Sequence, residues 1–296
     1  MDLYSVGLMI TKRCNFHCGH CMFSCNAKGD NMSDEVIKAA GYFIRENNVD
    51  HVAIYGGEPF LNIPLFDKVL DEVYDRDIGF FVSTNGSFMG SKAKREYVYK
   101  LLCRMKNNSS EFTGIRVSNT VFHNACRTEK QKASIKQLKW WISDPYSWVE
   151  DNYDSYEECY DENPFDFPRG RGSLYIDPEN ASEKMNPSGR ALKHADIHDK
   201  ACHCSMTCNT NEIYDEFEMN ISTNGDISVC CYCDGCVVGN ILEENICPSV
   251  IFERTKKLNE FFKEKYDVHQ KTKMVDICQI CKKYRIGPDG IRKYRR

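Results

Sequence analysis

Short apolar runs alternate with amphipathic segments along the first half of the chain. Four β-prone runs each predict a buried strand: residues 3–11, 51–55, 78–82 and 115–119. Between them, apolar positions recur at helical spacing in three segments: residues 34–44, 64–75 and 91–105. Ser33 is predicted to cap the first helix, because Asp34 and Glu35 follow it in the first turn. The alternation predicts an α/β protein with a parallel sheet and right-handed crossovers.

The predicted strands lead into stretches whose residues suit ligand binding. A cysteine-rich loop follows the first strand, Gly56-Gly57-Glu58-Pro59 follows the second, Ser83-Thr84-Asn85-Gly86 ends the third, and Ser118 lies at the end of the fourth. Paired glycines let a backbone approach a ligand closely, and proline biases the residue before it towards an extended conformation. Because ligands gather at the carboxyl ends of parallel strands, we expect these stretches to form one site.

The cysteines after the first strand have the spacing of a metal site. Cys14, Cys18 and Cys21 follow a Cys-x3-Cys-x2-Cys pattern in one short loop. Thiolates are the ligands that iron–sulfur clusters prefer, so the three can hold three corners of a four-iron, four-sulfur cluster and leave one iron without a protein ligand. An open coordination position is typical of a reactive metal centre. A zinc site or three buried thiols are the alternatives.

Composition narrows the class of protein. The chain has 296 residues, 42% of them hydrophobic and 28% charged, with a net charge of −4, which is typical of a soluble globular protein without the basic excess of a nucleic-acid binder. It has no membrane-length apolar run and no signal peptide at residue 1, so we expect a cytoplasmic location and no membrane partner. Seventeen cysteines then indicate metal ligands or catalytic thiols rather than disulfides.

The middle of the chain departs from the strand–helix pattern. A helix is predicted at residues 129–142 and a late strand at 173–176, but residues 143–167 between them are acidic and aromatic. This segment is either a solvated irregular loop or a surface that helps to bind a basic or peptide substrate.

Cysteines become dense again in the last third: Cys202, Cys204, Cys208, Cys230, Cys231, Cys233, Cys236, Cys247, Cys278 and Cys281. Residues 216–221 and 227–232 flank Asn224-Gly225 and predict a hairpin, because this dipeptide accepts the positive φ of a tight turn. A helix is predicted at residues 249–266. Two Cys-x2-Cys pairs, at residues 233–236 and 278–281, would also suit a zinc site.

The first cysteine loop resembles that of the radical S-adenosylmethionine (SAM) superfamily, in which an aromatic residue or His, here His20, precedes the third cysteine. The resemblance implies a partial (β/α)6 TIM-like barrel in which SAM chelates the open iron. It also implies that an electron, from a donor such as flavodoxin or ferredoxin, splits SAM into methionine and a 5′-deoxyadenosyl radical that abstracts a substrate hydrogen. The resemblance implies that the turn Gly56-Gly57-Glu58-Pro59 contacts the SAM amino group and that His20 also binds the cofactor. It implies further that the SAM pocket is lined by Ser83, Thr84, Asn85 and Ser118.

The last third resembles a twitch domain, the shortened form of the SPASM domain, with a small β-hairpin and a helix. Gly225 to Cys230 matches its Gly-x4-Cys hairpin, and the stretch around Arg190 is similar to one near the end of the barrel in such members. The resemblance implies a second, auxiliary four-iron cluster on Cys208, Cys230, Cys278 and Cys281. It divides the chain into a radical SAM barrel at residues 1–200 and an iron–sulfur domain at residues 201–296.

The reaction is the least determined part of the prediction. We expect modification of a ribosomally made peptide, either epimerisation, in which Cys231 or Cys233 returns a hydrogen atom, or an oxidative cross-link. The alternatives are a small-molecule radical SAM dehydrogenase and a zinc-stabilised binding protein without catalytic activity.

Overall fold

The computed structural model describes most of the first 135 residues and two later segments: residues 2–18, 21, 23–73, 78–108, 113–118, 121–135, 216–229 and 237–270. The strands are β1 Asp2–Thr11, β2 His51–Gly56, β3 Gly79–Thr84, β4 Thr113–Val117, β5 Glu216–Ile221, β6 Asp226–Ser228 and β7 Val237–Asn240. The helices with assigned bounds are α1 Asp34–Glu46, α2 Ile63–Val73, α3 Lys92–Asn108, α4 Val121–Cys126 and α5 Pro248–Gln270, and residues 129–135 are helical as well. Short 3-10 turns follow β2 and β3 at Pro59–Leu61 and Ser87–Gly90.

The described strands form one sheet in the order β4-β3-β2-β1-β5-β6-β7. The first five strands of that order are parallel, while β6 and β7 are antiparallel to their neighbours. The predicted mixed α/β fold with a parallel-rich sheet is thus confirmed, and so is the alternation of strands and helices up to β4. Closure of a six-unit barrel depends on residues 136–215, which lie outside the described part, and stays a prediction.

One face of the sheet packs against the helices. The core joins alternate residues of the strands with the apolar faces of α1 and α2: Val6, Leu8 and Ile10 of β1, Val52 and Ile54 of β2, Val36, Ile37 and Ile44 of α1, and Phe66 and Leu70 of α2. Ser33 caps α1 as predicted, with its hydroxyl oxygen accepting from Val36 N at 3.3 Å. Strand alternation places the intervening residues on the opposite face.

That opposite face carries a buried polar pair across β1. Gly7 of β1 is paired in register with Asn220 of β5, and the neighbouring Met9 is paired with Tyr55 of β2. The Tyr55 hydroxyl donates to Asn220 Oδ1 at 2.9 Å, and both side chains are buried. A Cβ on Gly7 would lie 2.2 Å from that same oxygen, so only glycine allows the two side chains to meet above β1.

The predicted hairpin near Asn224-Gly225 is present. β5 pairs antiparallel with β6, and Gly225 has the positive φ, +86°, that this turn was expected to need. The described part of the second strand, β6, ends at Ser228, and residues 230–232 of the predicted strand lie outside the described residues. β5 also joins β1, so the first strand of the predicted second domain extends the main sheet. The predicted boundary at residue 200 and the predicted strand at 173–176 lie outside the described residues.

In the part of the chain that the structure describes, no helix combines the length and the apolar character needed to cross a membrane.

Candidate active site

The cysteine loop leaves β1 at Thr11 and returns alongside it. Cys14 N donates to Asn26 O at 2.9 Å, Lys12 N to Asp30 O at 2.7 Å, and Met32 N to Ile10 O at 2.8 Å. These bonds join the two ends of the loop and hold Cys14 and Cys25 inside it, where both are buried. The loop therefore has a defined backbone within the described residues.

The glycine pair after β2 lies against the start of this loop. Gly57 N donates to Thr11 O at 2.7 Å, and Glu58 N donates to Arg13 O at 2.8 Å. A Cβ on Gly57 would be 2.1 Å from Arg13 O and 3.0 Å from the Cβ of Cys14. The glycines thus allow backbone to approach backbone, and the predicted contact of this turn with SAM stays a prediction.

Glu58 links the ends of β2 and β3 through its side chain. The fully buried carboxylate accepts from Thr84 Oγ1 at 2.7 Å, Asn85 N at 2.6 Å and Phe60 N at 3.1 Å. Burial raises the pKa of Glu58 to about 7, although these three hydrogen bonds favour the ionised form. Glu58 and Thr84 therefore stabilise the site from within.

Asn85 reaches from the end of β3 into the cysteine loop. Its side-chain nitrogen donates to Asn15 Oδ1 at 3.1 Å and to Cys14 Sγ at 3.7 Å. Its side-chain oxygen accepts from Ser87 N at 2.8 Å. The predicted pocket residue thus contacts the first predicted metal ligand directly. Sequence reasoning did not select Asn15, because a single polar residue between two cysteines gives no signal of its own.

Arg127 connects the end of β4 to the same region. Ser118 N donates to Thr84 O at 2.8 Å, while Arg127 Nη2 donates to Ser118 O at 2.6 Å and to Asn85 O at 2.8 Å. The guanidinium carbon lies 5.8 Å from the centre of the Phe16 ring, and only 6% of Arg127 is exposed. Sequence reasoning missed this residue because it follows α4, a short helix that the apolar pattern did not predict.

Two additional cysteines lie with the three of the predicted metal site. The side chains of Cys14, Cys18 and Cys25 are buried and pack together, and those of Cys21 and Cys126 pack against them. The Cys18 thiol interacts with Cys126, and the Cys25 thiol with Cys21. The spacing Cys21-x3-Cys25 could have indicated the fourth thiol, but nothing local to Cys126 indicates the fifth.

The pKa values of the Cys14, Cys18 and Cys25 thiols are raised, which favours their protonated forms. Burial raises the pKa of Cys14 to about 12 and is also the main cause of the raised pKa of Cys18. For Cys25, the hydrogen bond with Cys21 raises the pKa most, followed by burial. Metal coordination deprotonates a thiol outright, so a bound cation would supply the positive charge that this pocket needs to hold thiolates.

The donor set fits an iron–sulfur cluster. Cys14 accepts from Phe16 N at 3.4 Å and from Asn85, and such N–H groups stabilise a cluster's thiolate ligands. Among the described His, Cys, Asp and Glu side chains, no three lie close enough to hold a single metal ion. A four-iron, four-sulfur cluster would bind each of the three thiolates to a different iron.

Ser83 lies on β3 opposite Arg116 of β4, half-buried on the face away from the helices. Pro59 begins the 3-10 turn after Glu58 and is buried. The remaining predicted site residues lie outside the described residues: His20, Arg190, Cys208, Cys230, Cys231, Cys233, Cys278 and Cys281.

Comparison with protein families identifies a domain in the first part of the chain. Residues 8–113 match the family model described as Radical SAM superfamily. The match includes the cysteine loop, the Gly56-Gly57-Glu58 turn and Thr84-Asn85, which are the stretches that the structure brings together. This segment of the chain is therefore similar to the radical SAM superfamily.

Over 90 residues the chain is 30% identical to the uncharacterized protein MJ0907 of Methanocaldococcus jannaschii. The aligned region is 29% of this chain and 31% of that protein, so the chain spans about a third of the relative's length.

Similar solved structures include BtrN in complex with AdoMet and 2-DOIA, with a TM-score of 0.49 and 13% identity over 88% of this chain and 87% of that chain. Native anSMEcpe with bound AdoMet and Kp18Cys peptide gives a TM-score of 0.48 and 14% identity over 87% and 83%. SuiB of Streptococcus suis gives a TM-score of 0.44 and 13% identity over 82% of this chain and 64% of that chain. These similarities are too distant to indicate a shared substrate.

Proposed function

We propose that this chain is a radical SAM enzyme, which cleaves SAM reductively and uses the 5′-deoxyadenosyl radical to abstract a hydrogen atom from its substrate. The observation that carries the proposal is the gathering of Cys14, Cys18 and Cys21, the Gly56-Gly57-Glu58 turn, Thr84-Asn85 and Ser118 at the carboxyl ends of β1 to β4. The match of residues 8–113 supports it. A four-iron, four-sulfur cluster on Cys14, Cys18 and Cys21 would supply the electron that splits SAM.

The chain's own residues would bind and orient SAM. The carboxylate of Glu58 already accepts hydrogen bonds within the protein, so the SAM amino group, which is a donor, would meet carbonyl oxygens of this turn. The buried charge of Arg127, beside Ser118, suits the SAM carboxylate. His20, Ser83 and Arg190 are further proposed contacts.

The first experiment measures iron and the SAM product. Anaerobically reconstituted protein should bind iron and sulfide and, with SAM and dithionite, release 5′-deoxyadenosine. Cys18→Ser should abolish this product, whereas Cys247→Ser, whose sulfur contacts Ser249 at the beginning of α5, should not. Product formation that persists in Cys18→Ser, or a wild-type protein that binds zinc and little iron, would refute the proposal and favour a zinc-stabilised binding protein.

We also propose an auxiliary four-iron cluster on Cys208, Cys230, Cys278 and Cys281 in a twitch-like domain at residues 201–296. The cysteine spacing of the last third supports it. Reconstituted protein would then contain about eight irons, against about four for one cluster. Replacing both Cys278 and Cys281 by alanine should remove about half of the iron, and unchanged iron would contradict the assignment.

We propose a ribosomally made peptide as the substrate. The aromatic and acidic residues 143–167 and the surplus thiols of the last third support this choice. The enzyme would be cytoplasmic and would receive its electron from a flavodoxin or ferredoxin. The alternative is dehydrogenation of a small molecule.

Candidate peptides encoded next to the gene can be incubated with enzyme and SAM in deuterated water. Deuterium on a peptide carbon indicates epimerisation and should be lost in Cys231→Ala or Cys233→Ala, if either thiol returns the hydrogen. Loss of two hydrogens indicates a cross-link. If no peptide changes mass or configuration while SAM is cleaved, the peptide proposal fails and small alcohols become the next substrates to test.

A further inference from the structure

The sulfur of Cys14 accepts hydrogen bonds from two different elements. Phe16 N, in the same loop, lies 3.4 Å from the sulfur, and Asn85 Nδ2, from the end of β3, lies 3.7 Å from it. Cys14 is 9% exposed and Asn85 is 5% exposed, so little water competes for either group. The contact from Phe16 is local, whereas the contact from Asn85 bridges 71 positions of the chain.

The orientation of the Asn85 amide is fixed by its other contacts. Ser87 N donates to Asn85 Oδ1 at 2.8 Å, which requires the oxygen to point towards the 3-10 turn and the NH2 group towards the cysteine loop. The two hydrogens of that group match its two acceptors, Asn15 Oδ1 and Cys14 Sγ. Both backbone groups of Asn85 are also bonded, its N–H to Glu58 and its carbonyl to Arg127.

Reduction of a cluster adds negative charge, part of which is carried by the thiolate sulfurs. An N–H donor aimed at such a sulfur therefore stabilises the reduced form more than the oxidised form and makes the reduction potential less negative. We propose that Asn85 is a positioning residue that tunes the cluster through Cys14, by donating its side-chain N–H to the thiolate. This inference rests on the proposed function. The electron comes from the external donor, and no bond is formed or broken at Asn85.

The proposal changes the expected role of Asn85. The resemblance to the radical SAM superfamily implied that this side chain lines the SAM pocket, but the structure places both of its amide hydrogens on protein acceptors. A residue that acts only on SAM would affect the cluster only when SAM is bound. A donor to Cys14 should affect the cluster in the absence of SAM, and this difference is measurable.

The test is a redox titration of the reconstituted holoenzyme without SAM. The titration is monitored by the electron paramagnetic resonance signal of the reduced cluster, which is identified as the signal that Cys18→Ser abolishes. Asn85→Leu removes both donors, and Asn85→Asp replaces them by an acceptor, so both should shift the midpoint potential to more negative values, Asp more than Leu. Ser87→Ala is the matched control, because it keeps the backbone N–H to Asn85 and loses only a hydroxyl with its exposed 3.3 Å contact to Asn15 Oδ1. Its potential should equal that of the wild type.

A second measurement covers the case in which the Asn85 variants do not assemble a cluster. Wild-type enzyme carrying nitrogen-15 in its asparagine side chains should show a nitrogen coupling to the reduced cluster in pulsed electron paramagnetic resonance. The coupling should persist in Asn15→Asp, which keeps the acceptor oxygen and removes the other nearby side-chain nitrogen.

Unchanged potentials in Asn85→Leu and Asn85→Asp, or the absence of a nitrogen coupling in the wild type, would overturn the inference. Either result leaves the proposed function standing if the wild type still cleaves SAM. A wild type without a cluster would instead refute the proposed function itself.

Discussion

The hydroxyl of Thr84 donates to the carboxylate of Glu58 at 2.7 Å, and this bond connects the exits of two neighbouring parallel strands. Glu58 N in turn donates to the carbonyl of Arg13 in the cysteine loop. The carboxylate is fully buried, so no water competes with it for the groups that donate hydrogen bonds to it. Glu58 thus joins the cysteine loop, the turn after β2 and the end of β3 into one structure.

The buried carboxyl group should make stability depend on pH. Folding raises the pKa of Glu58 from 4.5 to about 7, so between these values the folded state binds more protons than the unfolded state. The contribution of this shift to the free energy of unfolding is fully present below about pH 4.5 and is lost as pH rises through 7. Relative to Glu58→Gln, the wild type should lose about 3 kcal/mol of unfolding free energy over this range. Urea denaturation of both apoproteins at several pH values measures this difference, and a pH-independent difference would contradict it.

Gly57 should not tolerate a side chain. Gly57→Ala places a methyl group 2.1 Å from Arg13 O and 3.0 Å from Cys14 Cβ, so the loop must move. We expect a loss of about 1–3 kcal/mol in unfolding free energy and a lower iron content after reconstitution. Gly90→Ala is the control, because a Cβ at Gly90 meets no atom within 4 Å. Equal iron content and stability in the two variants would show that the predicted collision is absent.

The bond between Tyr55 and Asn220 should be detectable as an energetic coupling. Tyr55→Phe is expected to cost about 1 kcal/mol, because a buried hydrogen bond is lost. In the double variant with Asn220→Ala the two effects should not add, since both remove the same contact. Urea denaturation of the four proteins gives the coupling energy. Tyr42→Phe, at a residue that is 61% exposed, should be neutral. Strict additivity would argue against the placement of β5 beside β1.

Arg127 should contribute to SAM affinity. Arg127→Gln removes the buried positive charge and the donors to Asn85 and Ser118, so we expect SAM to bind at least tenfold more weakly, a loss of about 1.4 kcal/mol or more. Arg127→Lys should lose less, because it keeps the charge but not the planar fork of donors. Anaerobic calorimetry of the reconstituted proteins measures this, with Arg104→Gln as a control at an exposed ion pair with Asp71. Wild-type affinity in Arg127→Gln would exclude the role.

Some features could be predicted because their causes are local. Apolar periodicity located β1 to β4 and α1 to α3 to within a few residues, and Ser33 and Gly225 were recognised from the conformations that a cap and a tight turn demand. The rule that polar residues at the carboxyl ends of parallel strands converge also brought Glu58, Asn85 and Ser118 correctly to one region.

Other features could not be predicted, because they depend on which segments become neighbours. The position of β5 beside β1 joins residues more than 200 positions apart, and alternation reveals the buried face of a strand but not its partner. Cys126 and Arg127 reach the cysteine loop only because the chain returns there after β4. The inward direction of the Thr84 hydroxyl likewise follows from its contact with Glu58.

The sequence alone determined β1 to β4, α1 to α3 and the three thiols at metal-ligand spacing, since each is encoded within a few consecutive residues. Only the tertiary structure decided that the Glu58 carboxylate is used inside the protein, that Asn85 donates to Cys14, and that Cys25 and Cys126 share the thiol pocket. The physical reason is that hydrogen bonding and burial depend on atoms that distant parts of the chain bring together, and local pattern carries no information about those atoms.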